Sequence, residues 1–197
     1  MSDRAAERMT IEEFLTWQTD QVDRFEFVNG QPVAMAGAKL RHDRVTGNAL
    51  SEIQRQLRAS GNPCDAFTAN IGILTPPGHL RRPEVSVLCP PFDEEAMTSD
   101  SPRLVVEVLS ESIAWIDRLV KLDEYKAMDT MEYIVFADPT RVEVGFWSRD
   151  AERAWRSETF WDPEAVVSIP GLGLTLSLAS LCERVPLPAR PRPRWCE

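Results

Sequence analysis

Glu107 interrupts an otherwise aliphatic run, Leu104-Val105-Val106-Glu107-Val108-Leu109. On a strand, alternate side chains share a face, so Glu107 lies beside Val105 and Leu109 and backs onto Leu104, Val106 and Val108. A carboxylate in such a place needs a metal, a cation or a proton to share. The alternative is an edge strand with Glu107 turned to water. A second carboxylate, Glu84, opens another strand in Arg81-Arg82-Pro83-Glu84-Val85. Asp117, Lys121 and Tyr125 recur at i, i+4 and i+8, which lines them along one helix face. Two strand carboxylates can hold a hard cation such as Mg²⁺, and a nearby lysine can orient or deprotonate a water and stabilise charge on a phosphate. That set suits metal-assisted phosphodiester hydrolysis. Ordinary explanations stand beside it: Glu84 paired with Arg81 or Arg82, Lys121 paired with Asp117 on a helix surface, Tyr125 as packing.

The surrounding pattern supplies elements to position these groups. Thr10-Ile11-Glu12-Glu13 is a capping box that starts a helix from Ile11 to about Thr19. Phe25–Val28 reads as a strand, Asn29-Gly30 as a two-residue hairpin turn, and Pro32–Met35 as the return strand. Val45, Ala49, Ile53 and Leu57 form the apolar stripe of a helix from His42 to Ala59, with Gly61 as its stop. Strands follow over Asp65–Thr75, Glu84–Cys89 and Arg103–Leu109, the last two separated by an acidic, Pro-rich linker from Pro90 to Asp100. A helix over Ile113–Met128 precedes strands at Glu132–Ala137 and Arg141–Trp147, joined by an Asp138-Pro139 turn, and a further pair of strands over Trp155–Phe160 and Ala165–Ile169. The order predicts an α/β or α+β domain with a mixed sheet and packed helices over residues 1–185. Residues 186–197, rich in Pro and Arg, read as a loose tail.

Composition narrows the function classes. The chain has 197 residues and a formal net charge of −9. That charge argues against strong non-specific nucleic-acid binding, so a polyanionic substrate must meet a local basic patch, a metal, or both. No apolar run reaches the roughly 18–20 residues that span a bilayer, and the N-terminus lacks the apolar core of a signal peptide. The expectation is a cytoplasmic protein with no membrane partner. Its four cysteines are Cys64, Cys89, Cys182 and Cys196. They lack zinc-ligand spacing and are expected as reduced thiols. There is no glycine-rich phosphate loop of the P-loop kind, which ranks other phosphoester chemistry last.

Several segments, in order and at their spacing, resemble the Uma-type endonucleases, a bacterial group within the PD-(D/E)XK nuclease superfamily. They are Met9–Leu15, Phe25-Glu26-Phe27-Val28-Asn29-Gly30, the helix carrying His42, Arg82-Pro83-Glu84-Val85, Leu104–Ser110, Asp117 through Lys121 to Tyr125, and Glu132-Tyr133 to Asp138-Pro139. The resemblance covers roughly Met9 to Leu181. It implies a restriction-endonuclease-like core with flanking helices and an added β-hairpin, and a site that binds Mg²⁺ or Mn²⁺. The proline-then-acid position falls on Glu84 and the strand carboxylate on Glu107. Val108 would lend a backbone carbonyl to the metal, and Glu26 is a further metal-site candidate. The superfamily lysine position, two residues beyond the strand acid, is Leu109 here, and the lysine is displaced to Lys121.

Two departures stand out. Glu84 replaces the usual aspartate, which moves the carboxylate on a metal that tolerates little misplacement. Ser110-Glu111-Ser112 replaces a Ser-Pro-Ser/Thr turn. Beyond the core set, Asp117 is expected to orient Lys121, and His42 to support the site or contact phosphate. Arg41, Arg44, Arg81 and Arg82 are the expected nucleic-acid contacts. The resulting expectation is a divalent-metal-dependent DNA endonuclease, with a two-fold homodimer suited to cutting both strands. The alternative is a catalytically weakened nuclease-fold domain that binds DNA or protein.

Overall fold

Thr10 opens helix α1 (Ile11–Gln18) with the expected reciprocal cap: its hydroxyl accepts from the Glu13 amide, and the Glu13 carboxylate accepts from the Thr10 amide at 2.8 Å. The computed structural model describes residues 8–35, 37–110 and 115–186. Phe14 of α1 is buried against Phe27, ring to ring at 4.9 Å, which fastens the helix to strand β1 (Phe25–Val28). Asn29 and Gly30, with φ of 52° and 81°, turn the chain into β2 (Gln31–Ala34). Both residues have positive φ, as a two-residue hairpin turn whose twist matches its strands requires. Helix α2 (Leu40–Ser60) buries Val45, Ala49, Ile53 and Leu57 and ends at left-handed Gly61.

The expected single strand over residues 65–75 is two strands in two sheets, β3 (Asp65–Thr68) and β4 (Gly72–Thr75). Strand β5 (His79–Arg81) returns beside β4, and β6 (Val85–Leu88) returns beside β3. The whole is one long hairpin broken in the middle, at 69–71 on one arm and 82–84 on the other. Within the expected linker, β7 (Thr98–Ser99) adds a short parallel pairing to β4. Next come β8 (Leu104–Val108), α3 (Trp115–Ala127), β9 (Tyr133–Ala137) and β10 (Val144–Arg149). They are followed by β11 (Trp155–Phe160), β12 (Val166–Ile169), β13 (Leu174–Ser177) and the single turn α4 (Leu178–Leu181). Strand β10 starts later than its sequence pattern, because the Asp138 carboxylate accepts from the Thr140 amide at 2.8 Å and holds residues 138–141 in a turn.

The larger sheet runs β11-β10-β9-β8-β6-β3 and the smaller one β2-β1-β5-β4-β7, with β12-β13 as a separate ribbon, so β11 and β12 pair with their other chain neighbours, β10 and β13, and not with one another as expected. Strand β8 is interior, antiparallel to β6 and parallel to β9, which rules out the edge-strand alternative for Glu107. One face of the larger sheet, with Val85, Val87, Leu104, Val106 and Val108, packs on α2 and the β12-β13 ribbon. The other face packs Val105, Ile134 and Phe136 against Leu122, Tyr125 and Met128 around α3. Fold class and mixed sheet match the expectation from sequence, and the β1-β2 hairpin is the predicted addition.

The expectation of reduced thiols fails at one pair: Cys64 and Cys89 form a disulfide. The register that pairs Asp65 with Leu88 sets these two residues side by side one step further on, a proximity that sequence spacing does not reveal. The first residues expected in α3, 113 and 114, lie outside the described residues. So do Glu111 and Ser112 of the altered turn and all of the tail beyond residue 186.

Candidate active site at the strand bend

The bend between the two sheets leaves backbone carbonyls without strand partners, and Arg82 fills the gap. Its guanidinium donates to the carbonyls of Phe25 at 2.9 Å, Ala69 at 3.1 Å and Asn70 at 2.9 Å. Pro83 follows, where a missing N–H costs the ladder nothing. The chain then enters β6 with Glu84 at the start of the strand. The β6–β8 ladder ends at the Val85–Val106 pair, and the residues just beyond it on the two chains, Glu84 and Glu107, both line the cleft. Glu84 accepts from the Val108 amide at 2.8 Å and lies 3.3 Å from His42 Nε2, near the start of α2.

Glu107 is buried, at 4% exposure. Tyr125 donates to it at 2.6 Å, and Lys121 Nζ stands 3.4 and 3.5 Å from its two oxygens. Burial lifts the Glu107 carboxyl well above the usual carboxylate range; Lys121 opposes that lift, and the negative charges of Glu84 and Glu26 add to it. Burial alone would favour a neutral Lys121, but Glu107 and Glu26 more than compensate and hold it as an ammonium. Lys121 thus stands beside Glu107 as a hydrogen-bond donor and a positive charge. Burial and then Glu107 push the Tyr125 phenol upward, so it remains a hydrogen-bond donor.

These groups line a cleft of about 840 Å³. The cleft is lined by Glu26, His42, Glu84, Glu107, Val108, Asp117 and Lys121, all singled out in the sequence, with Arg41 and Arg82 also on its wall. The roles differ in several places. Glu26 accepts from Lys121 at 2.9 Å, Arg81 at 3.0 Å and the Arg82 amide at 3.1 Å. With three donors on its oxygens it anchors the lysine. Arg81, expected to meet nucleic acid, is 1% exposed and committed to Glu26 and Glu124. Arg82 is likewise spent on backbone carbonyls. Arg44 turns away from the cleft and donates to the Arg184 carbonyl. Asp117 forms its ion pair with Arg81, at 3.9 Å.

Sequence reasoning passed over Glu124, His79 and Arg24. Glu124 is adjacent to Tyr125 and reads as an ordinary charged helix residue, yet it is buried. It accepts from Arg81 Nε at 2.7 Å, Arg81 Nη2 at 2.8 Å and Thr75 at 3.0 Å, and lies 2.8 Å from His79 Nδ1. The one available signal was the i+3 spacing from Lys121. Arg24, just before β1, lines the cleft, as does Lys39, just before α2.

The donor set suits a hard cation. Glu84 and Glu107 offer oxygens from adjacent strands, and Val108 adds a backbone carbonyl close by. Among the described residues no three His, Cys, Asp or Glu side chains form a ready-made metal cage. Mg²⁺ is commonly held by one or two carboxylates, with water and substrate phosphate completing its shell, so two carboxylates suffice.

The fold is a mixed α+β domain, and comparison with known proteins places it among nuclease folds. The chain superposes on a crystal structure described as "a putative nuclease belonging to DUF820" from Anabaena variabilis, with a TM-score of 0.71 and 20% identity, covering 88% of this chain and 97% of that one. Residues 11–179 match the family model Uma2, described as "Putative restriction endonuclease", and the chain belongs to that family. Two uncharacterised proteins of Synechocystis sp., slr1290 and sll1609, are 27% and 26% identical to it. Each alignment spans 75% of this chain, and 78% and 84% of the respective relatives. Among the described residues no helix is long and apolar enough to cross a membrane.

Proposed function

We propose that the protein is a divalent-metal-dependent endonuclease that hydrolyses phosphodiester bonds in DNA. The observation that carries this reading is the pair Glu84 and Glu107 on one cleft wall, Glu84 bonded to the Val108 amide next to Glu107 and the Lys121 ammonium 3.4 Å from Glu107. Glu84, Glu107 and the Val108 carbonyl would hold Mg²⁺ or Mn²⁺, which supplies positive charge against the charge that develops on the phosphoryl oxygens. Lys121 adds a second positive charge and donates to a phosphoryl oxygen or to the attacking water. Tyr125 fixes the Glu107 carboxylate, and Glu26 fixes the lysine. Water attacks phosphorus in line with the departing ester oxygen, forming the new P–O bond as the old one breaks. Arg24, Lys39 and Arg41 on the cleft wall supply the local basic surface that an acidic chain needs to receive a polyanion. A cytoplasmic two-fold dimer would present one such site to each strand of a duplex.

Cleavage of supercoiled plasmid with Mg²⁺ or Mn²⁺ tests the reading. Wild type is expected to cut, while Glu107→Ala and Lys121→Ala each lose roughly a hundredfold or more. Equal cutting by all three would refute the assignment. A second reading, a DNA-binding domain with weakened catalysis, is favoured by one observation: both oxygens of Glu84 already face internal partners, His42 and the Val108 amide. Duplex binding by folded wild type, with no cleavage in either metal, would select it.

A further inference from the structure

Lys121 has to be held over Glu107 although its flexible stem would allow it to lie elsewhere. Its nearest carboxylate is Glu26, at 2.9 Å, rather than Glu107. Glu26 is itself held from behind: Arg81 Nη1 donates to its second oxygen at 3.0 Å. The other side of that guanidinium, Nε and Nη2, grips Glu124 in a two-pronged contact at 2.7 and 2.8 Å. Glu124 is steadied in turn by Thr75 and His79, and His79 Nε2 lies 3.2 Å from the Asn29 side chain in the hairpin turn. Glu26, Arg81, Lys121 and Glu124 are each no more than 8% exposed, so water does little to loosen the chain of contacts. Glu124 and Lys121 stand on the same helix, one turn apart, while Glu26 and Arg81 come from two strands of the smaller sheet. The loop of contacts thus leaves α3, crosses the sheet and returns to α3 at the lysine.

We propose that Glu124 is a positioning residue for Lys121, acting through Arg81 and Glu26 and touching neither substrate nor metal. This rests on Lys121 being the active-site cation of the proposed nuclease. The competing explanation is that the cluster only fastens α3 to the smaller sheet. The two differ in what removal of Glu124 does once Lys121 is gone. A positioning role predicts that Glu124→Gln lowers kcat by roughly ten- to a hundredfold, with KM within about twofold, and that it has no further effect in a Lys121→Ala background. A fastening role predicts equal losses in both backgrounds, as for independent sites.

A readout that needs no catalysis separates failure of this inference from failure of the nuclease reading. The chain has three lysines, Lys39, Lys121 and Lys126. The Lys121 ammonium can therefore be assigned in a ¹⁵N-detected side-chain NMR spectrum by its loss in Lys121→Ala. The wild type is expected to show a slowly exchanging Lys121 ammonium signal, and folded Glu124→Gln is expected to lose it. Should Glu124→Gln not fold, Arg81→Lys keeps the charge but loses the two-pronged grip, and the same loss is expected. No protected signal in the wild type, an unchanged signal in the folded variant, or additive kinetics would each overturn the inference. A protein that cleaves nothing but shows the predicted NMR pattern would retain the positioning role and lose the nuclease.

Discussion

At the residue scale the site is a problem of uncompensated charge. Glu107 sits between hydrophobic neighbours with one ammonium and one phenol for company, and the nearby carboxylates of Glu84 and Glu26 add to the lift that burial gives its carboxyl. Glu124 shows the opposite balance. Burial pushes its carboxyl up, but Arg81, His79 and Thr75 together pull it below its ordinary value. A carboxyl lowered in the folded state contributes stability above its unfolded pKa, and that contribution is lost as pH falls through the folded value. The wild type should thus lose stability more steeply than Glu124→Gln below about pH 4.5, and the two should run parallel at higher pH. Melting curves between pH 3 and 7 check this; parallel curves throughout would show that Glu124 is not held as described.

The decisive element is the broken hairpin. An unbroken ladder from β3–β6 into β4–β5 would leave no place for Glu84 to face Glu107 at an open end. At the break the Arg82 guanidinium donates to the carbonyls of Phe25, Ala69 and Asn70. Removing a partner from buried polar groups costs about 1–3 kcal/mol for each group left unsatisfied. Arg82→Ala should accordingly destabilise the fold by about 2–4 kcal/mol in urea unfolding, partly relieved by water entering from the cleft. Arg44→Ala, which removes one exposed contact, should stay within about 0.5 kcal/mol. Equal effects would mean that the bend does not depend on Arg82. The sequence shows why this was hard to foresee. Arg81 and Arg82 lie beside a carboxylate and look like phosphate ligands, but neighbouring strands turn both inward.

At the scale of the whole molecule, an acidic protein carries a small basic wall beside its carboxylates. Arg24, Lys39 and Arg41 come from the start of β1 and the start of α2, elements joined only through the hairpin. If these three neutralise phosphates, the logarithm of duplex affinity should fall with the logarithm of salt at a slope of roughly −2 to −3. Each Ala substitution should flatten that slope by about one. Filter binding with Ca²⁺, over a range of salt, measures it. A slope near zero would place nucleic acid elsewhere or exclude it.

Much of this protein is legible along the chain because it is local. The capping box of α1, the Asn-Gly hairpin, the four-residue stripe of α2 and the buried strand around Glu107 each follow from backbone sterics and side-chain period. Glu84, Glu107 and Lys121 could be singled out because a charge within an apolar run, or at a helical spacing, stands out without knowledge of its neighbours. Partners across sheets have no such signature. The Cys64–Cys89 bond follows from strand register, and the inward turn of Arg81 and Arg82 from a bend shared by two strands. The burial of Glu124 follows from packing α3 on the smaller sheet. In each case the partner is remote along the chain, so the tertiary structure alone decides which charges meet and which are spent inside.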